Sequence, residues 1–73
     1  MSKEYLIRIA FRDKRDGSVR HAVVRPWKND GDDLGMFIAK YVAERVQTFS
    51  EQGFRFVEVE AAYYTGRSME TPF

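Results

Sequence analysis

The chain has 73 residues, a formal net charge of +1, 44% hydrophobic and 15% aromatic side chains, no cysteine and one histidine. That length makes one domain, whose core rarely supplies more than roughly 3–5 kcal/mol without a staple or very regular packing. The lack of cysteine excludes disulfides, cysteine zinc sites and thiol nucleophiles, and a lone His21 excludes paired-histidine metal sites and most histidine-assisted hydrolytic triads.

The near-neutral total argues against a general nucleic-acid coat protein. No apolar run approaches the ~20 residues of a membrane span, and the start MSKEYLIRIAF carries charges where a signal peptide is apolar, so a soluble, unsecreted protein is expected. The charge is unevenly spread: residues 1–28 hold eight lysines and arginines against three carboxylates, whereas residues 29–73 hold four against eight.

Residues 5–12 alternate, with Tyr5, Ile7, Ile9 and Phe11 on one side and Leu6, Arg8, Ala10 and Arg12 on the other, which predicts a half-buried strand. The segment RDKRDG brings Asp13, Asp16 and Gly17, residues that tolerate turn dihedrals, and predicts a hairpin. In the returning strand SVRHAVVR either Val19, His21 and Val23 or Ala22 and Val24 point inward, and the first set is the expectation. Pro26 lacks a backbone donor and should end the strand or sit at an edge.

WKNDGDD reads as a loop. A helix follows from about Asp33 to Gln52, capped by Asp32, with Asp33 at the positive end of its dipole and Gly53 placed to stop it. At 100° per residue, Leu34, Phe37, Ile38, Tyr41, Val42, Val46 and Phe49 gather on one side, opposite Lys40, Glu44, Gln47 and Glu51. FRFVEVEAAYY is the last strand, with Val57, Val59, Ala61 and Tyr63 on one face and Phe56, Glu58, Glu60 and Tyr64 on the other.

The order β-β-α-β and the right-handed crossover rule predict an α+β fold: a three-stranded antiparallel sheet of order 2-1-3 with one helix packed on one face. Residues 1–64 form the domain. The aperiodic TGRSMETPF, residues 65–73, forms a flexible C-terminal tail.

One helix covers one side of such a sheet. The other side shows Leu6, Arg8, Ala10, Arg12, Phe56, Glu58, Glu60, Tyr64 and Arg20. Pairing of Arg8 and Arg12 with Glu58 and Glu60 explains the charges as ordinary cross-strand pairs, but not Leu6, Phe56 and Tyr64 beside them; mixed aromatic and arginine surfaces are typical of protein-binding patches. Trp27 is either a lid over one end of the core or an exposed anchor, and His21 is expected as a packed strand residue. The candidate partner-binding residues are Arg8, Arg12, Arg20, Arg25, Trp27, Phe56 and Tyr64, with Arg67 in the tail.

NDGDDLG is not a calcium loop: counting from Asp30, Leu34 stands where an oxygen ligand is needed and Tyr41 where the bidentate glutamate belongs. No nucleophile and base pair and no phosphate-cradling glycine loop stands out, so no catalytic residue, cofactor or metal is expected and the chain is read as a non-enzyme. The glycine-aromatic signature of RNA-stacking sheets is missing, which leaves RNA contact at the basic hairpin as the alternative.

As a whole, MSKEYLIRIAFRDKRDGSVRHAVVRPW, the helix GDDLGMFIAKYVAERVQTF and the length of 73 residues resemble the small bacteriophage transcription regulators that bind RNA polymerase. The resemblance implies a monomer in the host cytoplasm whose partner is the host polymerase near its RNA exit channel, at the flap of the β subunit and the start of the β′ subunit, with nascent RNA close by. It also implies displacement of the promoter-specificity factor, shut-off of host promoters and read-through of terminators. The remaining alternatives are a small RNA-binding module and a structural or accessory component of a phage particle.

Overall fold

A computed structural model describes residues 1–70. Its elements are β1 (Ser2–Asp13), β2 (Val19–Val24), β3 (Trp27–Asn29), α1 (Leu34–Glu51) and β4 (Phe54–Met69). This is an antiparallel α+β fold with β1 in the centre, β2 and β3 along one of its edges and β4 along the other.

The loop expected at WKNDGDD is in part a strand. Pro26 separates β2 from β3, yet its carbonyl accepts Tyr5 N–H at 2.9 Å, so the chain stays on the β1 edge across the interruption. Proline removes a donor and leaves an acceptor, and an edge joint needs only the acceptor.

The β1–β2 register is fixed by the turn. Asp13 N–H donates to the Ser18 carbonyl at 2.8 Å, Gly17 N–H donates to the Asp13 carbonyl at 2.9 Å, and Gly17 has a φ of 75°, a region glycine enters freely. Ile7 then pairs with Val24 and Ile9 with Ala22, which turns Ala22 and Val24 toward the helix. Val19, His21 and Val23, expected inward, lie opposite Arg12, Ala10 and Arg8 on the other face and are exposed.

Three register shifts interrupt the β1–β4 ladder. Val57 is extra between the pairs Ala10–Glu58 and Phe11–Phe56, and Glu60 is extra between Arg8–Ala61 and Ile9–Val59. Each extra residue reverses the alternation along the strand. The expected faces of β4 therefore hold at Glu58, Val59 and Glu60 and fail on either side: Phe56 pairs with Phe11 in the core, and Tyr64 pairs with Tyr5 on the helix side, while Ala61 and Tyr63 face away.

The expected loose tail from Thr65 is strand as far as Met69, since Lys3 pairs with Ser68 and Ser2 with Met69. The rest of that prediction, residues 71–73, lies outside the described residues.

The helix is capped by Asp33 instead of Asp32; its carboxylate accepts Met36 N–H at 2.9 Å. Gly53, at a φ of 91°, ends it as expected. Ile38, Tyr41, Val42, Val46 and Phe49 pack on Ile7, Ile9 and Phe11, whereas Leu34, expected in that stripe, is exposed in the first turn. Burying a side chain such as Ile7 or Ile9 contributes roughly 1.5–3 kcal/mol.

The molecule measures 46 × 19 × 18 Å. An 18-residue helix spans about 27 Å, so it leaves one full sheet face and part of the length of the other uncovered. Among the described residues no helix is long and apolar enough to cross a membrane.

Candidate functional site

The uncovered face is built from alternate residues of β1 (Leu6, Arg8, Ala10 and Arg12), from Val19, His21 and Val23 of β2, and from Arg55, Glu58, Ala61 and Tyr63 of β4. Glu60, displaced by its bulge, closes the middle of this face. Its Oε1 accepts Arg8 Nε at 3.1 Å and lies 3.0 Å from His21 Nε2. Of the expected pairing of Arg8 and Arg12 with Glu58 and Glu60, the structure forms Arg8–Glu60, joined by a histidine expected in the core.

The companion pair does not form. Glu58 lies opposite Ala10, and Arg12 lies opposite Arg55, with Arg12 Nη1 donating to the Gly17 carbonyl at 2.7 Å. Around the central ion cluster Val19, Val23 and Tyr63 are about half exposed, at 47%, 50% and 53%. Apolar and aromatic surface interleaved with arginine is the composition of a protein-docking core.

Beyond the N-terminal end of the helix, Glu4 organises a second cluster. It is only 5% exposed and lies beside Trp27 in the β1–β3 ladder. Thr65 Oγ1 donates to Glu4 Oε1 at 2.9 Å, Arg67 Nη1 donates to Oε2 at 3.4 Å, and the Arg67 guanidinium stands 5.9 Å from the centre of the Trp27 ring. Trp27 also lines a cleft of about 430 Å³ with Phe37 and Tyr41. It is neither a buried lid nor a free anchor: the residue is 37% exposed and the Arg67 guanidinium stands over its ring.

Of the predicted site residues, Arg8 and Arg12 share the open face, and Trp27 and Arg67 meet at one end of the sheet. Arg20 pairs with Phe11 and so sits on the helix side, contrary to its expected place, while Arg25 is exposed in the joint before Pro26. Phe56 is a core residue, and Tyr64 packs its ring 5.9 Å from that of Tyr5. Arg20, Phe56 and Tyr64 do not join Arg8 and Arg12.

At the hairpin tip, where Asp13 and Asp16 are expected as turn residues, Arg55 of β4 is the member that the sequence did not single out. Asp13, 1% exposed, accepts Arg15 N–H at 2.9 Å, Nε at 3.2 Å and Nη2 at 3.1 Å. Those bonds, side chain first and backbone second, hold its carboxyl below the usual carboxylate range. Asp16 is lowered as well, chiefly by Ser18 N–H at 2.8 Å. With both acids committed locally, Lys14 and Arg55 are left beside Arg12. The signal was available in principle: once the first strand is central, an arginine at the start of the last strand lies near Arg12.

No family model matches the chain, and no curated protein or solved structure matches it significantly.

Proposed function

We propose that the chain is a non-enzymatic regulator that docks, as a monomer in the host cytoplasm, on bacterial RNA polymerase. The observation that carries the docking part is the uncovered sheet face, where Leu6, Val23 and Tyr63 surround the Arg8–Glu60–His21 cluster. The resemblance of residues 1–27 and 31–49 to small phage regulators supports polymerase as the partner, near the RNA exit channel at the β flap and the start of β′. Bound there, the domain hinders promoter initiation and favours read-through of terminators.

Rigid presentation suits this role, because a face supported by a packed helix loses little side-chain and backbone freedom on docking. The excess of cations in residues 1–28 steers encounter with an acidic surface and fixes orientation. The contact set becomes Arg8, Arg12, Val23 and Tyr63 on the face, with Trp27 and Arg67 at its end.

The test is binding of the purified chain to bacterial RNA polymerase on a biosensor surface, alongside transcription from a host promoter and through a terminator. Tyr63→Asp placed on the face should abolish binding and both transcriptional effects with the circular dichroism spectrum unchanged. Wild-type affinity in that variant removes the face from the interface, and no binding by the wild-type chain removes polymerase as the partner.

A further inference from the structure

At the hairpin tip, Arg12 from β1, Lys14 from the turn and Arg55 from the start of β4 line one cleft of about 370 Å³. Arg12 and Arg55 are direct cross-strand partners. Like charges so placed repel and destabilise a sheet unless an anion lies between them. Among the described residues none of the three forms an ion pair. Asp13 also lines the cleft, but its oxygens already accept three bonds from Arg15. The cleft is therefore cationic, with its one acid engaged elsewhere.

A second cleft of about 260 Å³ adjoins it, and the two share Lys14 and Arg55 as walls. Its other walls are Val46 and Ser50 of the helix and Phe54 and Phe56 of β4. An oxyanion site beside a mixed cleft with two aromatic walls, Phe54 and Phe56, and room for a flat ring is the shape of a nucleotide. The geometry points to a binding site for single-stranded nucleic acid, with a phosphate between Arg12, Lys14 and Arg55 and an unstacked base in the neighbouring cleft. An acidic side chain satisfies the cations and leaves the aromatic-walled cleft empty, and a duplex keeps its bases out of it. The site shares Arg12 with the polymerase contact set but is tested through Lys14, Arg55 and Ser50, apart from Tyr63, so either reading can fail alone.

The test is fluorescence anisotropy of a labelled oligouridine of about eight nucleotides, with the matching oligothymidine, a duplex and an oligoglutamate of equal charge as further arms. Three phosphate contacts at about −0.7 each give a slope of about −2 for log affinity against log salt. Lys14→Gln and Arg55→Gln should each weaken binding and flatten that slope by about 0.7. Ser50→Phe, which fills the aromatic-walled cleft, should weaken binding and leave the slope unchanged. Comparison of the two oligonucleotides tells RNA from DNA, and binding of either supports the site. No binding at about 50 mM salt, duplex binding as tight as single-strand binding, slopes unchanged by the two glutamine variants, or displacement by oligoglutamate at equal concentration would each overturn it.

Discussion

Thr65 Oγ1 donates to Glu4 Oε1 across 2.9 Å, joining residues 61 apart in sequence at the one place where a single β1 residue faces three of β4. Thr65, Gly66 and Arg67 make that bulge, and Gly66 takes a φ of 94° to close it. The carboxylate does the work of the missing ladder bonds. Glu4→Ala should cost roughly 1–3 kcal/mol, because it leaves the Thr65 hydroxyl only the Glu4 carbonyl at 3.3 Å, takes the acceptor from Arg67 Nη1 and opens a buried space. The loss should be local first. Amide exchange at Arg67 and Ser68 should speed up more than at Ile7 and Ile9, whereas Glu4→Gln, which keeps an acceptor for Thr65, should show a much smaller change. Uniform acceleration across β1 would contradict this local role.

The register of β2 gives a sharper contrast. Ile9 is fully buried, and Val23 is half exposed on the opposite face. Ile9→Ala should lower unfolding stability by about 2–5 kcal/mol, enough to unfold a domain of this size at room temperature. Val23→Ala should stay within about 0.5 kcal/mol. Urea midpoints of the two variants decide the matter, and comparable losses would mean that Val23 is a core residue after all.

Acid sensitivity should trace to the hairpin tip. Arg15 lowers the pKa of Asp13 in the folded chain. A carboxyl shifted this way adds stability that is complete above its unfolded value, about 3.9, and is lost as pH falls through the folded value. The melting-temperature gap between wild type and Asp13→Asn should therefore be constant above about pH 5 and narrow below about pH 4. Asp16 is shifted in the same direction, so Asp13→Asn keeps a residual acid dependence of its own. A gap equally wide at about pH 2 and pH 6 would break the link to ionisation.

Strictly alternating β1 and the helix stripe were legible because each buries one face against a single neighbour, and their order led directly to the sheet arrangement. The faces of β2 were not, since Val19, His21 and Val23 are as apolar in pattern as Ala22 and Val24, and only the turn bonds at Asp13 and Gly17 choose between them. In β4 the obstacle was different: a bulge adds no residue type of its own. Val57 and Glu60 each insert one position, so a single alternation fits only Glu58 and Val59 between them and is reversed on either side, at Phe56 and from Ala61 onward. Phe56 and Tyr64 moved off the open face for that reason, and Tyr63 moved onto it. The choice between Asp32 and Asp33 as cap lies within the one-residue uncertainty that two adjacent aspartates create.

Arg12 and Arg20 separate the open face from simple positive charge. Both are exposed arginines of the same hairpin, but Arg12 lies on the uncovered face and Arg20 lies opposite Phe11 on the helix side. Charge reversal at either removes the same long-range attraction, which costs association rate and little else. Only at Arg12 does the new carboxylate also enter the docked surface, beside Arg55 and Val19. Arg12→Glu should therefore weaken polymerase binding more than about tenfold, mainly through faster dissociation, and Arg20→Glu less than about threefold, mainly through slower association. Association and dissociation rates measured at two salt concentrations distinguish these effects. Equal losses in both variants, carried by the association rate alone, would reduce the role of the basic first half to steering and leave the sheet face outside the interface.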